Sequence, residues 1–134
     1  MGRLFLSRAF ITVGLATVFS SAIAETQSAT PPKRQCFVSS DWNGWKASPD
    51  SKSIYIRVGV SKLFRIDLAN ACPALQGVGV HLVTRTHGSP WICRPLDLDL
   101  KVGQGHGFTT PCMVSDITPL SAAEAAALPK ALRP

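Results

Sequence analysis

The sequence has few charged residues and lacks the short motifs that mark common catalytic sites. Only 16% of its 134 residues are charged. It has no G-x-S-x-G, Walker or H-E-x-x-H pattern, so none of the corresponding hydrolase, nucleotide-binding or metalloprotease sites is indicated. It also has no C-x-x-C, which argues against a zinc knuckle or a thioredoxin-like motif. Lysine and arginine are scattered and not interleaved with aromatic residues, so nucleic-acid binding is not predicted.

The N-terminus predicts a secretory signal peptide over residues 1–24. Arg3 and Arg8 give a positive start, and residues 9–19 form an apolar run that is too short to span a bilayer. Residues 22–24 (Ala-Ile-Ala) match the pattern that a signal peptidase cleaves, so we expect the mature chain to begin at Glu25. No membrane span is expected after this cleavage. A lipoprotein is not expected either, because there is no cysteine near the cleavage site.

The mature chain is predicted to be a single small domain with a disordered leader. Residues 25–35 are polar with a double proline, which is typical of a linker, and residues 36–134 are enough for one core. Removal of Arg3 and Arg8 leaves 12 basic residues against 8 acidic ones, so the net charge falls from +6 to +4.

Four cysteines in a small exported domain predict two disulfides. They are Cys36, Cys72, Cys93 and Cys112. Three pairings are possible, and we favour Cys72–Cys93 nested inside Cys36–Cys112, because this arrangement joins the ends of the domain.

Alternating apolar and polar residues predict an antiparallel hairpin from residues 53–60 and 63–68. The preferred register sets Ile56 opposite Leu68 and Arg57 opposite Asp67, because opposite charges across a strand pair stabilise it. The preceding residues 39–53 are rich in turn formers and are predicted to be a loop.

Further strands are predicted at residues 79–85, 91–93, 96–102 and 109–115, with a turn at the glycine-rich residues 103–107. Pro111 indicates that the last strand lies at a sheet edge. Ser121 and Glu124 form a capping box before an alanine-rich helix that ends at Pro129. Together these patterns predict a mainly β domain, an antiparallel meander or barrel-like sheet with a short C-terminal helix and disulfide bridges.

Three segments resemble a bacterial family of small exported proteins that is classed as a domain of unknown function. They are IYIRVGVSKLFRIDLANACPAL, WICRPLDLDL and FTTPCMVSDITPLSAAEAAALPK. The resemblance covers residues 36–134 and implies export to the periplasm or medium, a single domain and a cysteine framework. It implies no reaction, cofactor or catalytic residue.

The histidines and aspartates offer one candidate for chemistry. His81, His87 and His106 with Asp97 and Asp99 could supply mixed nitrogen and oxygen ligands to a metal. Their spacing matches no known metal motif, so surface residues are the favoured interpretation and no cofactor is expected.

The tryptophans offer a candidate for binding. Trp42, Trp45 and Trp91 would form a binding surface if exposed, or would fill the core if buried, and burial is favoured because small β domains need bulky side chains. The leading functional interpretation is a non-enzymatic envelope protein that binds an unidentified partner or ligand or is structural. The alternative is a small envelope enzyme or metal-binding protein that uses the histidines and aspartates.

Overall fold

A computed structural model describes residues 35–105 and 107–134. The predicted signal peptide, residues 25–34 of the predicted linker and His106 lie outside this part of the chain.

The described chain forms nine strands, one α-helix and four 3₁₀ turns. The strands are β1 Phe37–Val38, β2 Trp42–Ala47, β3 Ser53–Val58, β4 Lys62–Leu68, β5 His81–Thr86, β6 Trp91–Ile92, β7 Leu98–Gln104, β8 Phe108–Pro111 and β9 Val114–Pro119. The helix α1 is Ala122–Ala127, and the 3₁₀ turns are Ser39–Asp41, Pro73–Gln76, Pro95–Asp97 and Lys130–Leu132.

The strands form three antiparallel sheets in place of one curled or barrel-like sheet. The largest has the order β2-β3-β4-β9, the second has the order β5-β7-β8, and β1 pairs with β6. The prediction of a mainly β, antiparallel, disulfide-bridged domain with one short C-terminal helix is confirmed.

One hydrophobic core joins the inner faces of the sheets. Alternation buries every second residue of β3, β4 and β7, since successive side chains of a strand point to opposite faces. Phe64 is 1% exposed, and its ring lies 4.8 Å from that of Phe37 on β1. The small β1–β6 sheet therefore belongs to the same core as the two larger ones.

The β3–β4 hairpin forms as predicted, but in a different register. Ile56 pairs with Phe64, and Arg57 pairs with Leu63 instead of Asp67. The chain turns earlier than predicted, because Gly59 takes a positive φ of 60° directly after β3 ends. The observed partner of Ile56, Phe64, differs from the predicted partner, Leu68, by an even number of residues. The apolar side chains therefore stay on the core face.

Asp67 is hydrogen-bonded to residues of the sheet other than Arg57. It accepts a hydrogen bond from the Ser53 hydroxyl at 2.7 Å and one from the Arg65 Nε at 2.9 Å. Arg65 is two residues away on the same strand and the same face. The charge pairing that was expected across the hairpin is therefore satisfied along one strand.

Two other segments differ from the prediction. The predicted loop at residues 39–53 contains the edge strand β2. The predicted strand at 109–115 is two strands, β8 and β9, which belong to different sheets. Pro111 lies on β8, an edge strand, as its missing N–H requires.

The C-terminal capping box is confirmed. The Ser121 N–H donates to the Glu124 carboxylate at 2.7 Å, and the Glu124 N–H donates to the Ser121 hydroxyl at 3.3 Å. The chain then continues over β2, where the turn Lys130–Leu132 packs and Pro134 approaches Gly44.

All four cysteines are bridged, but the predicted pairing is wrong. Cys36 is bonded to Cys93 and Cys72 to Cys112. Pairing of β1 with β6 places Cys36 beside Cys93, with their Cα atoms 4.3 Å apart. The two bridges interleave along the chain and are not nested.

Candidate functional site

One candidate site is a groove between two edge strands, β2 and β5. Each of these strands pairs on one side only. The groove has a volume of about 330 Å³, and we call it the tryptophan groove. Its lining residues are Ser39, Trp42, Gly44, Trp45, His81, Leu82 and Thr84.

A bulge in β2 brings both tryptophans to the same wall. Trp42 pairs with Val58 and Trp45 with Ile56, and the register shifts between them. Gly44 is the extra residue and has a φ of 71°, a conformation that glycine adopts readily. Residues three apart on a regular strand would point to opposite faces, so the bulge is what aligns the two indoles.

The two indoles are anchored on one side and open on the other. Both are half-buried and pack against the hydrophobic core. Trp42 meets the ring of Phe37 edge-on, with ring centres 6.5 Å apart. The core thus fixes the indoles while part of their surface remains accessible from the groove.

The opposite wall is formed by β5 and is partly polar. Leu82 pairs with Val102 and Thr84 with Leu100, which places Leu82 and Thr84 on the inner face of the sheet. Both are half-buried. Thr84 therefore contributes a hydroxyl at a position where the neighbouring strand β7 has leucine.

His81 lies at one end of β5, and its imidazole is on the outer face of the sheet, against Gly103. The two residues are paired across β5 and β7, and a Cβ at position 103 would overlap the imidazole. The absence of a side chain at Gly103 is therefore what allows the ring to occupy this place.

The tryptophan groove has no charged side chain of lysine, arginine, aspartate or glutamate among its lining residues as described. His81 is the one ionisable group in that lining. Two tryptophans and two hydroxyl-bearing residues suit a ligand with both apolar and hydrogen-bonding surface.

Trp91, the third predicted binding tryptophan, lies elsewhere. It is 54% exposed on β6 and borders a second groove of about 310 Å³. That groove also contains Val60, which is 97% exposed, together with Asp41 and Lys62. The structure therefore divides the three tryptophans between two surfaces.

The predicted metal ligands are likewise divided. His87 and Asp99 border a third groove of about 240 Å³, whereas His81 lies in the tryptophan groove. Asp99 pairs with Lys101 at 3.3 Å. In the part of the chain that the structure describes, no three histidine, cysteine or acidic residues are placed to hold a metal; His106 is outside it.

Asp97 has a structural role in the connection between β6 and β7. Its carboxylate accepts the N–H groups of Cys93 at 3.0 Å and Arg94 at 2.9 Å. The hydrogen bond from Cys93, with help from Arg94, holds the pKa of Asp97 below its usual range. The carboxylate thus caps the turn Pro95–Asp97.

A model described as "Family of unknown function (DUF6491)" matches residues 2–134. The chain belongs to this family. No curated protein and no solved structure matches the chain significantly. Membership in DUF6491 carries no residue roles, so the site in this DUF6491 chain is defined by its own geometry.

The described part of the DUF6491 chain has no helix that is both long and apolar enough to cross a membrane. Its two disulfides fit an oxidising setting.

Sequence reasoning identified Trp42, Trp45 and His81, but it did not identify Ser39, Leu82 or Thr84 as groove residues. The only local indication was the Asn43-Gly44 pair between the tryptophans, which marks a backbone irregularity. The position of β5 opposite β2 depends on contacts distant in sequence.

Proposed function

We propose that this protein is an exported bacterial envelope protein that binds a ligand or partner at its tryptophan groove and does not catalyse a reaction. In this proposal residues 1–24 are removed as a signal peptide, residues 25–35 are a flexible linker and residues 36–134 are the binding domain. The disulfides support export, because such bonds persist in oxidising compartments.

The observation that carries the proposal is the pair of half-buried indoles on one wall of the tryptophan groove. Trp42 and Trp45 pack against the hydrophobic core, and the same groove is lined by two hydroxyl-bearing residues, Ser39 and Thr84. Rigid aromatic groups that are already ordered lose little entropy when a ligand binds. Concave sites with apolar walls and a few polar groups are typical of ligand binding.

The lining favours binding over catalysis. General acid–base catalysis needs an ionisable side chain within hydrogen-bond reach of the proton that it transfers. His81 is the one ionisable residue in the described groove lining, and its ring lies on the outer face of β5. Asp97 and Asp99 are held in the turn cap and the ion pair described above.

A retention experiment tests the binding face. The disulfide-bonded protein is immobilised and exposed to envelope extract, and the retained material is analysed for protein by mass spectrometry and for sugar by composition. We expect retention by the wild type and its loss in Thr84→Arg and Ser39→Arg, which fill the groove from opposite walls.

Trp91→Ala is the matched control, since it removes an aromatic group outside the groove. Circular dichroism and urea unfolding establish that each variant folds. Equal retention by the wild type and both groove variants would contradict the proposed binding face, as would loss of retention in Trp91→Ala alone.

Export is tested separately by fractionation and N-terminal sequencing of the full chain produced in a bacterium. We expect an envelope protein that begins at Glu25, and Ala24→Arg should leave the precursor uncleaved because the cleavage site requires a small residue. An uncleaved wild-type chain in the cytoplasm would refute export.

A further inference from the structure

We propose that the tryptophan groove binds an uncharged saccharide of one or two rings. This inference rests on the proposed function, because it names the class of ligand for the same groove.

The first argument is the charge of the lining. The chain has a net charge of +6, yet no lysine, arginine, aspartate or glutamate lines the tryptophan groove as the structure describes it. The two other grooves do contain such groups, Asp41 and Lys62 in one and Asp99 in the other. A charged ligand would lose hydration in the tryptophan groove without gaining an ionic partner, which is unfavourable.

The second argument is the spacing of the indoles. Trp42 and Trp45 oppose Val58 and Ile56, which are two residues apart on β3, so the indoles start about 7 Å apart along the strand. Their common wall is therefore long enough for a flat ligand of more than one ring. The carbon–hydrogen face of a sugar ring is apolar and packs against an indole, while its rim carries hydroxyls.

The third argument is the position of the polar groups. Thr84 and Ser39, which both line the groove, carry hydroxyls. Each can donate or accept hydrogen bonds, as sugar hydroxyls require. The volume of about 330 Å³ lies near the lower end of the range for small-molecule sites, which favours a short saccharide.

An extended peptide is the competing ligand, because β2 and β5 are both sheet edges. A peptide strand pairs with a continuous row of free backbone groups. The β2 edge is interrupted by the bulge at Gly44, beside which Pro134 lies. The groove walls are also formed by the inner faces of the strands, which a strand added at the edge would not contact.

The test uses the fluorescence of the two groove tryptophans in a Trp91→Phe background, since the chain has three tryptophans. The oxidised protein is titrated with glucose, cellobiose and di-N-acetylchitobiose as neutral probes of one or two rings. Glucosamine and glucuronate are the charged probes. We expect a saturable emission change with at least one neutral saccharide and none with the charged sugars.

Thr84→Val removes one hydroxyl and keeps the branched shape that suits a strand. We expect it to weaken binding about five- to tenfold, the loss of one hydrogen bond. Thr86→Val is the matched control, because Thr86 lies two residues further on the same face of β5 and outside the groove lining. It should leave affinity unchanged.

The outcomes separate the two proposals. If no neutral saccharide binds but envelope material is still retained through the groove, the saccharide inference is overturned and the proposed function stands. If the material that the groove retains from envelope extract is protein, and no saccharide changes the emission, the inference is overturned in favour of a peptide or protein partner. If nothing is retained or bound, both proposals fail. Equal weakening by Thr84→Val and Thr86→Val would also overturn the inference.

Discussion

The two disulfides should differ sharply in their response to a mild reductant, with Cys36–Cys93 opening first. Cys36 is exposed and Cys93 half-buried, whereas Cys72 and Cys112 are each 5% exposed. Reduction requires a thiolate to reach one of the sulfur atoms, so accessibility controls the order. Cys72–Cys112 should be reduced only when the core opens.

Loss of Cys36–Cys93 should weaken the domain without unfolding it. The bridge joins residues 57 positions apart, and the chain-entropy model gives about 4 kcal/mol for a loop of that length. A domain of this size has a total stability of about 5–15 kcal/mol. The strands that flank the bridge also keep Phe37 and Ile92 in the core, so packing continues to hold β1 on β6.

The assay combines chemistry and equilibrium unfolding. Wild-type protein is treated with increasing reductant, free thiols are alkylated, and the labelled peptides are mapped by mass spectrometry. Urea unfolding of Cys36→Ser/Cys93→Ser, followed by tryptophan fluorescence, measures the free energy lost. The reasoning is refuted if Cys72 and Cys112 are labelled first. It is also refuted if peptide mapping of the non-reduced protein shows a disulfide between Cys36 and Cys112.

Three further predictions follow from core burial, helix capping and the His81 site. Phe64→Ala should lower the free energy of unfolding by about 3–5 kcal/mol, because Phe64 is fully buried, while Val60→Ala at an exposed site should change it by less than about 0.5 kcal/mol, both measured by urea unfolding. The Ser121 N–H lowers the pKa of Glu124, so its contribution to helix α1 should be present above the ordinary glutamate pKa and lost as pH falls through the lower folded value. The protection factors of the α1 amides, which are corrected for the intrinsic pH dependence of exchange, measure this loss, and Glu124→Gln should remove their dependence on pH. Gly103→Ala should displace the His81 imidazole while the fold persists; unchanged His81 ring resonances in NMR spectra would contradict this placement.

Hydrophobic alternation was sufficient to predict the strands that build the core. In β3, β4 and β7 each buried side chain is aliphatic or phenylalanine, and the side chains of the opposite face are mostly polar, so the period of two is clear. The capping box likewise depends on residues three apart, and it was read correctly. These features are local, and the sequence contains all the information that they need.

Register and disulfide pairing depended on contacts that the local pattern does not contain. A cross-strand charge pair was a reasonable guide for Arg57, but Asp67 found a partner on its own strand. The cysteine pairing followed from the meeting of β1 and β6, two short strands far apart in the sequence. Two-residue strands carry too little periodicity to be placed from sequence.

The tryptophan groove was not predicted because its key element breaks the rule used to find strands. Trp42 and Trp45 are three residues apart, a spacing that argues against a shared face on a regular strand. Gly44 restores the shared face through the bulge, and the same irregularity made the segment look like a loop. The feature that hides β2 from a pattern analysis is therefore the feature that builds the candidate site.

The distribution of the disulfides gives a physical reason why this groove is the best candidate for a ligand. The groove beside Trp91 includes Cys36, and the groove beside His87 includes Cys112, so a covalent bridge borders each of them. The described lining of the tryptophan groove contains no cysteine. Its two walls are edge strands, each bonded to the rest of its sheet on one side only, and both of its tryptophans are packed against the core. The cross-links meanwhile preserve the fold around it, which allows a small domain to leave two indoles partly accessible without losing its structure.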